Sequence, residues 1–388
     1  MALALLRWPL VHRSPHIPVA VFLTSFDAGG TERQMIELIR RLDRTRFRVH
    51  VACFRRSGQW LPKVIECAAS VVEFPLRGFA NTATLRQLSR FAAWCRRERI
   101  AMVQTSDFYS NVFGLPGAML GGVKVRIGSR RELNPDKSSS QIRLQRLAYR
   151  CATRVVANSP AAARYLATEG VPNSRVSVIS NGLDVQAYAE PARRERVTRV
   201  ITVANLRPEK SHETLIAAAA LLARDCPDVR YVIVGDGARR AELTALAKTR
   251  GVDHIIDFLG HREDVPALLA AADVFVLPSR SEAFPNGAIE AMAAGLPVVA
   301  SAVGGLLDLI ESGRTGILVP PSDAEALAAA LRSLHGSPAK ARAIGAAARR
   351  EVLSRYSFER MVRGFEDLYA TELHARHVVQ AQAAQAGI

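Results

Sequence analysis

Short apolar runs rich in β-branched residues alternate with longer stretches whose apolar positions recur three or four residues apart, and this alternation continues along almost all of the 388 residues. Runs of the first kind are strands covered on both faces, and the spacing that follows each is that of an amphipathic helix. Strand patterns fall at 19–25, 47–53, 102–106, 125–129, 154–159 and 175–180 in the first half, and at 199–205, 229–235, 255–260, 274–279 and 298–301 in the second. Helical spacing marks 31–42, 212–225, 239–251 and 265–272. A strand followed each time by a helix requires a parallel sheet with helices on both faces. A chain this long outgrows a single core, which stops growing at about 250–300 residues. The predicted fold class is therefore α/β, as two doubly wound, Rossmann-like parallel-sheet domains facing a cleft.

The break between them is expected in the polar, Pro-containing stretch NGLDVQAYAEPARRERVTR, giving domains over 1–183 and 184–357. The segment 358–388 reads as an amphipathic helix carrying Phe358, Met361, Val362, Phe365, Leu368 and Tyr369 on one side, expected to pack back on the first domain, with a frayed tail QAQAAQAGI. Ligands of open α/β sheets bind beyond the carboxyl ends of the strands, so the cleft between the domains is where chemistry is expected.

Composition excludes several classes. No apolar run reaches the ~18 residues of a membrane span. The opening MALALLRWPL is cut short by Arg7, Trp8 and Pro9 and no small-residue cleavage site follows, so it is not read as a targeting segment. Five scattered cysteines without a C-x-x-C pair have no zinc spacing and fit a reduced, cytoplasmic setting. The net charge of +16 is uneven: residues 1–180 hold 28 Lys and Arg against 11 Asp and Glu (+17), and the remainder 24 against 25 (−1). A basic first half fits a nucleic acid, an anionic membrane surface, an anionic substrate, or simply solvated arginine-rich faces. Nucleic acid fits least, because no helix-turn-helix, zinc-finger or RNP aromatic pattern accompanies the charge.

Three stretches carry candidate chemistry. In VFLTSFDAGGTERQMIELI a strand runs through Gly29-Gly30 into a helix, where unpaired amides and the helix dipole attract anions. Neither a full G-x-G-x-x-G nor a P-loop is present, and a simple turn fits as well. In VANLRPEKSHETL, Arg207 and Lys210 follow a strand with Pro208 between them and a helix start at Ser211 or His212; a planar fork beside a compact cation suits a diphosphate. In DVFVLPSRSEAFPNGAIEAMAAG, Glu282 lies in the loop, Phe284-Pro285-Asn286-Gly287 is read as the turn, and Glu290 is placed in the first turn of a helix. Carboxylates accept hydrogen bonds from hydroxyls and so suit a sugar or ribose.

With these stretches together, the chain resembles the retaining glycosyltransferases of glycosyltransferase family 4, which have the GT-B fold. The likeness runs from GGTERQMIELIRRL through ANSPAAARYLATEGVPNSRVSVISNGLDV, VANLRPEKSHETLIAAA, YVIVGDGARRAEL and IDFLGHREDVPALLAAADVFVLPSRSEAFPNGAIEAMAAGLPVVAS to GILVPPSDAEALAAAL. The resemblance implies that Arg207 and Lys210 hold the donor diphosphate and that Glu282 faces the sugar, with the amides of Ala283, Phe284, Pro285 and Asn286 region beside it. It implies Glu290 on the ribose, Gly29 and Gly30 against the phosphate, Gly235 and Gly237 close to the nucleotide, and His261 and Arg262 flanking the base. It implies transfer without a cofactor or metal ion from a UDP- or GDP-sugar. Two departures stand out: the loops QTSDFYSN and GSRREL lack the histidine that many relatives carry, and Ala283 stands where many have glycine. Asp107, Tyr109, Asn111, Arg130 and Arg131 are then the residues left to meet the acceptor. The expected function is retaining glycosyl transfer in cell-surface polysaccharide or glycolipid assembly, with a polysaccharide or lipid-linked acceptor and peripheral contact with an anionic membrane, and no nucleic acid. The alternatives are a nucleotide-sugar epimerase and a non-catalytic nucleotide-sugar-binding protein.

Overall fold

The computed structural model describes residues 16–385 apart from 28, 77, 79–80, 134–136 and 189–194, with side chains described up to 376. The targeting expectation for the opening residues, and most of the proline-containing part of the interdomain stretch, lie outside the described residues.

Two parallel sheets form. The first comprises β1 (Ile17–Leu23), β2 (Phe47–Cys53), β3 (Ser70–Glu73), β4 (Met102–Thr105), β5 (Val125–Arg130), β6 (Arg154–Ala157) and β7 (Val176–Val178), in the order β3-β2-β1-β4-β5-β6-β7. The second comprises β8 (Arg199–Val203), β9 (Arg230–Val234), β10 (Ile256–Gly260), β11 (Val274–Leu277), β12 (Val298–Ser301) and β13 (Ile317–Val319), in the order β10-β9-β8-β11-β12-β13. Every strand in the predicted list is present; β3 and β13 are additional. Both are short edge strands, and β3 is only half-covered, so neither carries the long apolar run that marks a buried strand. The central strands show why the runs are continuous: Val19, Ala20, Val21, Phe22 and Leu23 of β1 are all fully buried, packed against helices on both faces. In each sheet the order reverses beside the first strand, at β1/β4 and at β8/β11, so a crevice opens at the carboxyl ends there.

The helix Phe358–Gln385 follows the second domain in the chain but packs on the first. Phe358, Met361, Val362, Phe365, Leu368, Tyr369 and Leu373 join the cluster that includes Val19, Met35, Ile39 and Phe47. Full burial of one such side chain is worth about 1.5–3 kcal/mol, so this strap contributes substantially to holding the domains as one body. The close approach rests on Gly182, where a Cβ would lie 2.6 Å from the Phe358 Cα. The expected frayed tail is instead helical as far as Gln385.

Arg130, at the end of β5, is expected from the sequence to face an acceptor. Its side chain is instead fully buried and donates from Nη1 and Nη2 to both carboxylate oxygens of Glu169, at 3.1 and 3.0 Å, with the guanidinium 4.8 Å from the Tyr165 ring centroid. It is a structural pair tying β5 to the helix Pro160–Thr168. Removing one member leaves a charge stranded in the core, whereas replacing both by apolar groups does not. Arg130→Met alone should cost about 3–5 kcal/mol in urea unfolding, and Arg130→Met with Glu169→Leu should recover most of it.

Candidate active site

A cleft of about 840 Å³ opens between the carboxyl ends of the two sheets, and residues from both domains line it. From the first domain come Gly29, Gly30, Arg33 and Arg131. From the second come Arg207, Lys210, Gly235, His261, Arg262, Glu282, Ala283, Phe284, Pro285, Asn286 and Glu290. Arg207, Lys210, Glu282 and Glu290 thus share one hollow.

Gly29-Gly30 opens the helix Gly30–Arg41 with Gly29 in extended conformation at the N-cap. A side chain at Gly30 would place its Cβ 2.9 Å from the Asn286 amide nitrogen across the cleft, and one at Gly29 would collide with the Glu32 carboxylate. Asn286 begins the facing helix, Asn286–Ala293, so the turn is shorter than expected: Phe284 and Pro285 make the bend, and Asn286 and Gly287 are already helical. Glu290, expected in the first turn, is the fifth helical residue and lies beyond the reach of the dipole's strongest effect. Two helix N-termini therefore point at the same space from opposite domains.

After β8 the chain makes a short helical turn at Pro208–Lys210 preceded by Arg207 in extended conformation, and Ser211 in left-handed conformation (φ 51°) redirects it into the helix His212–Leu222. Arg207 is left exposed to the cleft. Lys210 Nζ donates to Glu282 Oε1 at 2.7 Å, and Ser279 Oγ donates to the same oxygen at 2.7 Å. Glu282 is buried, so these two donors are what keep its charge tolerable. From sequence alone Lys210 is a loop cation with no structural duty; the structure gives it one.

Glu290 has a partner that sequence reasoning missed. Arg33, on the first helix, donates from Nη1 to Glu290 Oε1 at 2.9 Å, from the opposite domain, and the Tyr188 hydroxyl hydrogen-bonds within the same group. Burial pushes the Glu290 carboxyl above its ordinary range, opposed by the Arg33 charge and these hydrogen bonds. Beside this pair Asn181 Nδ2 donates to Asn286 Oδ1 at 2.9 Å, and Arg131 Nη1 donates to Asn181 Oδ1 at 2.7 Å. Burial draws the Arg131 guanidinium down to about 10, with the Glu32 and Asp107 carboxylates opposing. The only sequence signal for Arg33 is its position three residues into the helix after Gly30, which puts it on the cleft-facing turn. A second omission is Gly304-Gly305 after β12, where Cβ atoms would lie 2.1 and 2.3 Å from the carbonyl oxygens of Glu282 and Ala283. The pair repeats the strand-Gly-Gly-helix pattern of the first domain and holds the acidic loop in place.

Five expected residues do not line the cleft. Arg130 is the buried pair described above. Gly237 is packed against its own domain, where a Cβ would lie 2.6 Å from the Leu206 carbonyl oxygen. Asn111 is fully buried, donating from Nδ2 to the Ser129 carbonyl at 2.8 Å and accepting from the Ser129 amide at 3.1 Å. Asp107 caps the helix Phe108–Leu120, accepting from the Ser110 amide at 2.8 Å, and also accepts from Thr24 Oγ1 at 2.8 Å. Tyr109 is exposed on that helix, away from the cavity wall. Of the acceptor set only Arg131 reaches the cleft. Gly235, although it lines the cleft, uses its φ of 133° and missing Cβ to approach the Ala204 carbonyl of its own sheet. Among the described residues no group of three His, Cys, Asp or Glu side chains is placed to hold a metal ion, and no helix is long and apolar enough to cross a membrane.

The two domains match two adjoining family models: Glycosyltransferase Family 4 over 28–187 and Glycosyl transferases group 1 over 187–351. Anabaena HepE in complex with UDP-glucose superposes with a TM-score of 0.81 at 24% identity, covering 92% of this chain and 100% of that one. The chain has the GT-B glycosyltransferase fold. Among curated relatives, glycogen synthase of Mycobacterium tuberculosis is 35% identical over 200 residues, which are 50% of this chain and 48% of that protein. The chain thus matches about half the length of those synthases. D-inositol 3-phosphate glycosyltransferase of Kribbella flavida is 29% identical over 83% of this chain and 86% of its own length.

A carboxyl group raised above its unfolded value favours the folded state at low pH and loses that contribution as pH rises through the folded value. Arg33→Ala removes the main charge opposing the rise at Glu290. Unfolding free energy measured against pH should therefore fall over a range extending to higher pH in Arg33→Ala than in the parent, and Arg33→Ala with Glu290→Gln should lose that extension.

Proposed function

We propose that the chain transfers a sugar from a UDP- or GDP-linked donor to an acceptor hydroxyl, with retention of configuration and without a metal ion. The observation carrying this is the convergence, in one cleft, of two helix N-termini, the cations Arg207 and Lys210, and the carboxylates Glu282 and Glu290. Anabaena HepE, solved in complex with UDP and glucose and with UDP-glucose, supports a nucleotide-sugar donor. Arg207 and Lys210 take the diphosphate, Glu282 the sugar hydroxyls and Glu290 the ribose, while the Gly29-Gly30 and Asn286 ends supply amide donors from both sides.

Departure of the nucleoside diphosphate breaks the bond from the anomeric carbon to the phosphate oxygen and leaves negative charge on that oxygen. The two side-chain cations stabilise that charge as it develops. The acceptor hydroxyl forms the new bond on the same face and gives its proton to the departing phosphate oxygen, so no dedicated base is required. Positioning then accounts for most of the remaining acceleration. Arg131, the one residue of the expected acceptor set that lines the cleft, orients the acceptor. The acceptor is a polysaccharide or lipid-linked chain of the cell surface, met by a cytoplasmic enzyme at a membrane.

Lys210→Ala is a poor test, because it strands buried Glu282 and so lowers stability together with turnover. Arg207 is exposed and makes no ion pair among the described residues. Arg207→Ala should lose at least a hundredfold in turnover, about 2.7 kcal/mol, with the unfolding midpoint of the empty protein unchanged. UDP or GDP at about a hundredfold excess over its Kd should stabilise the parent by about 2.7 kcal/mol and the variant by less. A fully active Arg207→Ala, or no stabilisation by either nucleotide, overturns the donor assignment. Turnover of donor without acceptor into an isomeric sugar nucleotide would replace transfer by epimerisation.

A further inference from the structure

Not every cation of the cleft has an anionic partner. Arg33, Lys210 and Arg262 line it and are ion-paired to Glu290, Glu282 and Asp264. Lys63, Arg131 and Arg207 line it too, and among the described residues none of them makes an ion pair. Arg207 meets the donor diphosphate in the proposed reaction, which leaves Arg131 and Lys63 on the first-domain wall. Arg131 follows β5, and Lys63 belongs to the short helix Leu61–Ile65 after β2. Because β1 lies between β2 and β4 in the sheet, these two cations stand on opposite sides of the Gly29-Gly30 turn that follows β1. Arg131 is held by Asn181, whereas Lys63 is exposed and its charge is unanswered.

Lys63 is nevertheless not loose. Its ammonium lies 4.5 Å from the centroid of the Trp60 ring, one turn back in the chain. An indole face attracts and orients a cation without neutralising it, as a carboxylate partner would. The ring is fixed in turn. Trp60 packs against the first domain's core, its amide donates to the Phe26 carbonyl at 3.0 Å, and the Phe26 amide donates to the Ser57 carbonyl at 3.0 Å. Gly58, at φ 124°, permits that approach, since a Cβ there would lie 2.2 Å from the Phe26 carbonyl carbon. The loop after β2 is thereby fastened to the loop after β1, which leads into Gly29-Gly30. A basic residue in the last turn of a helix often does no more than balance the dipole, but a helix of five residues has little dipole to balance.

We propose that Lys63, seated on Trp60, is the acceptor's anion site, so that the acceptor is a hydroxylated molecule bearing a phosphate or a carboxylate and not a neutral sugar. With a diphosphate on the second-domain cations, this oriented ammonium is the charge that still calls for an oxyanion, and it stands on the wall opposite the donor. An acceptor joined to lipid through a phosphate supplies one such group, and a polysaccharide containing uronic acid supplies the other. The inference rests on the transfer reaction proposed above and adds the class of its acceptor.

The test is calorimetric titration of the full chain with glucose 6-phosphate, glucuronate and uncharged methyl glucoside, each with saturating UDP or GDP and again without nucleotide. The parent is compared with Lys63→Gln and Lys63→Arg. Lys63 is exposed, so both variants should keep the parent's unfolding midpoint. In the parent at least one anionic compound should bind about tenfold or more tighter than methyl glucoside; Lys63→Gln should abolish that preference and Lys63→Arg should retain most of it. Whichever anionic compound binds tighter assigns the oxyanion to phosphate or to carboxylate. Anionic compounds that bind the parent no tighter than methyl glucoside, or a Lys63→Gln variant that keeps the preference, overturn the inference. Loss of UDP and GDP binding in Lys63→Gln would move Lys63 to the donor and overturn it as well. Should neither nucleotide bind the parent, the donor reading fails, and the titrations without nucleotide still decide the role of Lys63.

Discussion

Everything in the cleft depends on two sheets being held with their carboxyl ends towards each other. The chain achieves this with polar contacts that cross the gap and a helical strap that crosses behind it. Gln34 binds the Gly182 peptide at both ends, donating to its carbonyl at 3.0 Å and accepting from its amide at 2.8 Å, which ties the first helix to the interdomain crossover. At the other side Asp308 accepts from the Ala161 amide at 2.8 Å and from Arg164, fastening the helix Gly304–Leu309 to the amino end of Pro160–Thr168. The strap buries its apolar side against the first domain. Hydrogen bonds of this kind are individually modest, about 0.5–1.5 kcal/mol, so the hold comes from their number and from burial, and ligand binding needs to shift only a small balance.

The fold was largely readable from the sequence because parallel sheets buried on both faces leave long apolar runs, and those runs fall where β1, β2, β8, β9 and β11 lie. What escaped were edge strands too short to form a run, β3 and β13, and the extent of the last helix. The convergence of four charged residues of the second domain on one cleft was also readable. Arg207, Lys210 and Glu282 follow strand ends directly and Glu290 lies in the helix after one, so the position of each follows from the strand before it.

The first domain was not readable in the same way, for a physical reason. Asp107 and Arg130 are polar residues at or just past strand ends and Asn111 is in the helix that follows β4, as functional residues are, yet each meets a local need: Asp107 caps that helix, Asn111 pins it to β5 through the Ser129 main chain, and Arg130 neutralises Glu169. Sequence shows that a polar group is near a strand end but not whether its hydrogen bonds are satisfied inside the domain. Arg33 is the converse case. It lies in an ordinary amphipathic helix, and only the approach of the second domain gives it Glu290 as a partner.

That approach changes what ligand binding means in this cleft. Both carboxylates expected to meet the donor are paired within the protein, Glu282 with Lys210 and Glu290 with Arg33. A buried carboxylate without a partner is costly, so these pairs stabilise the cleft. A nucleotide sugar would not add its hydrogen bonds to vacant groups. It would exchange them: sugar and ribose hydroxyls for part of each ion pair, and diphosphate oxygens for the cations so released. The net gain of such an exchange is smaller than the sum of the new contacts. It is largest for a ligand that brings an anion and hydroxyls at the spacing of the two pairs, because a ligand offering only one leaves a charge unmatched.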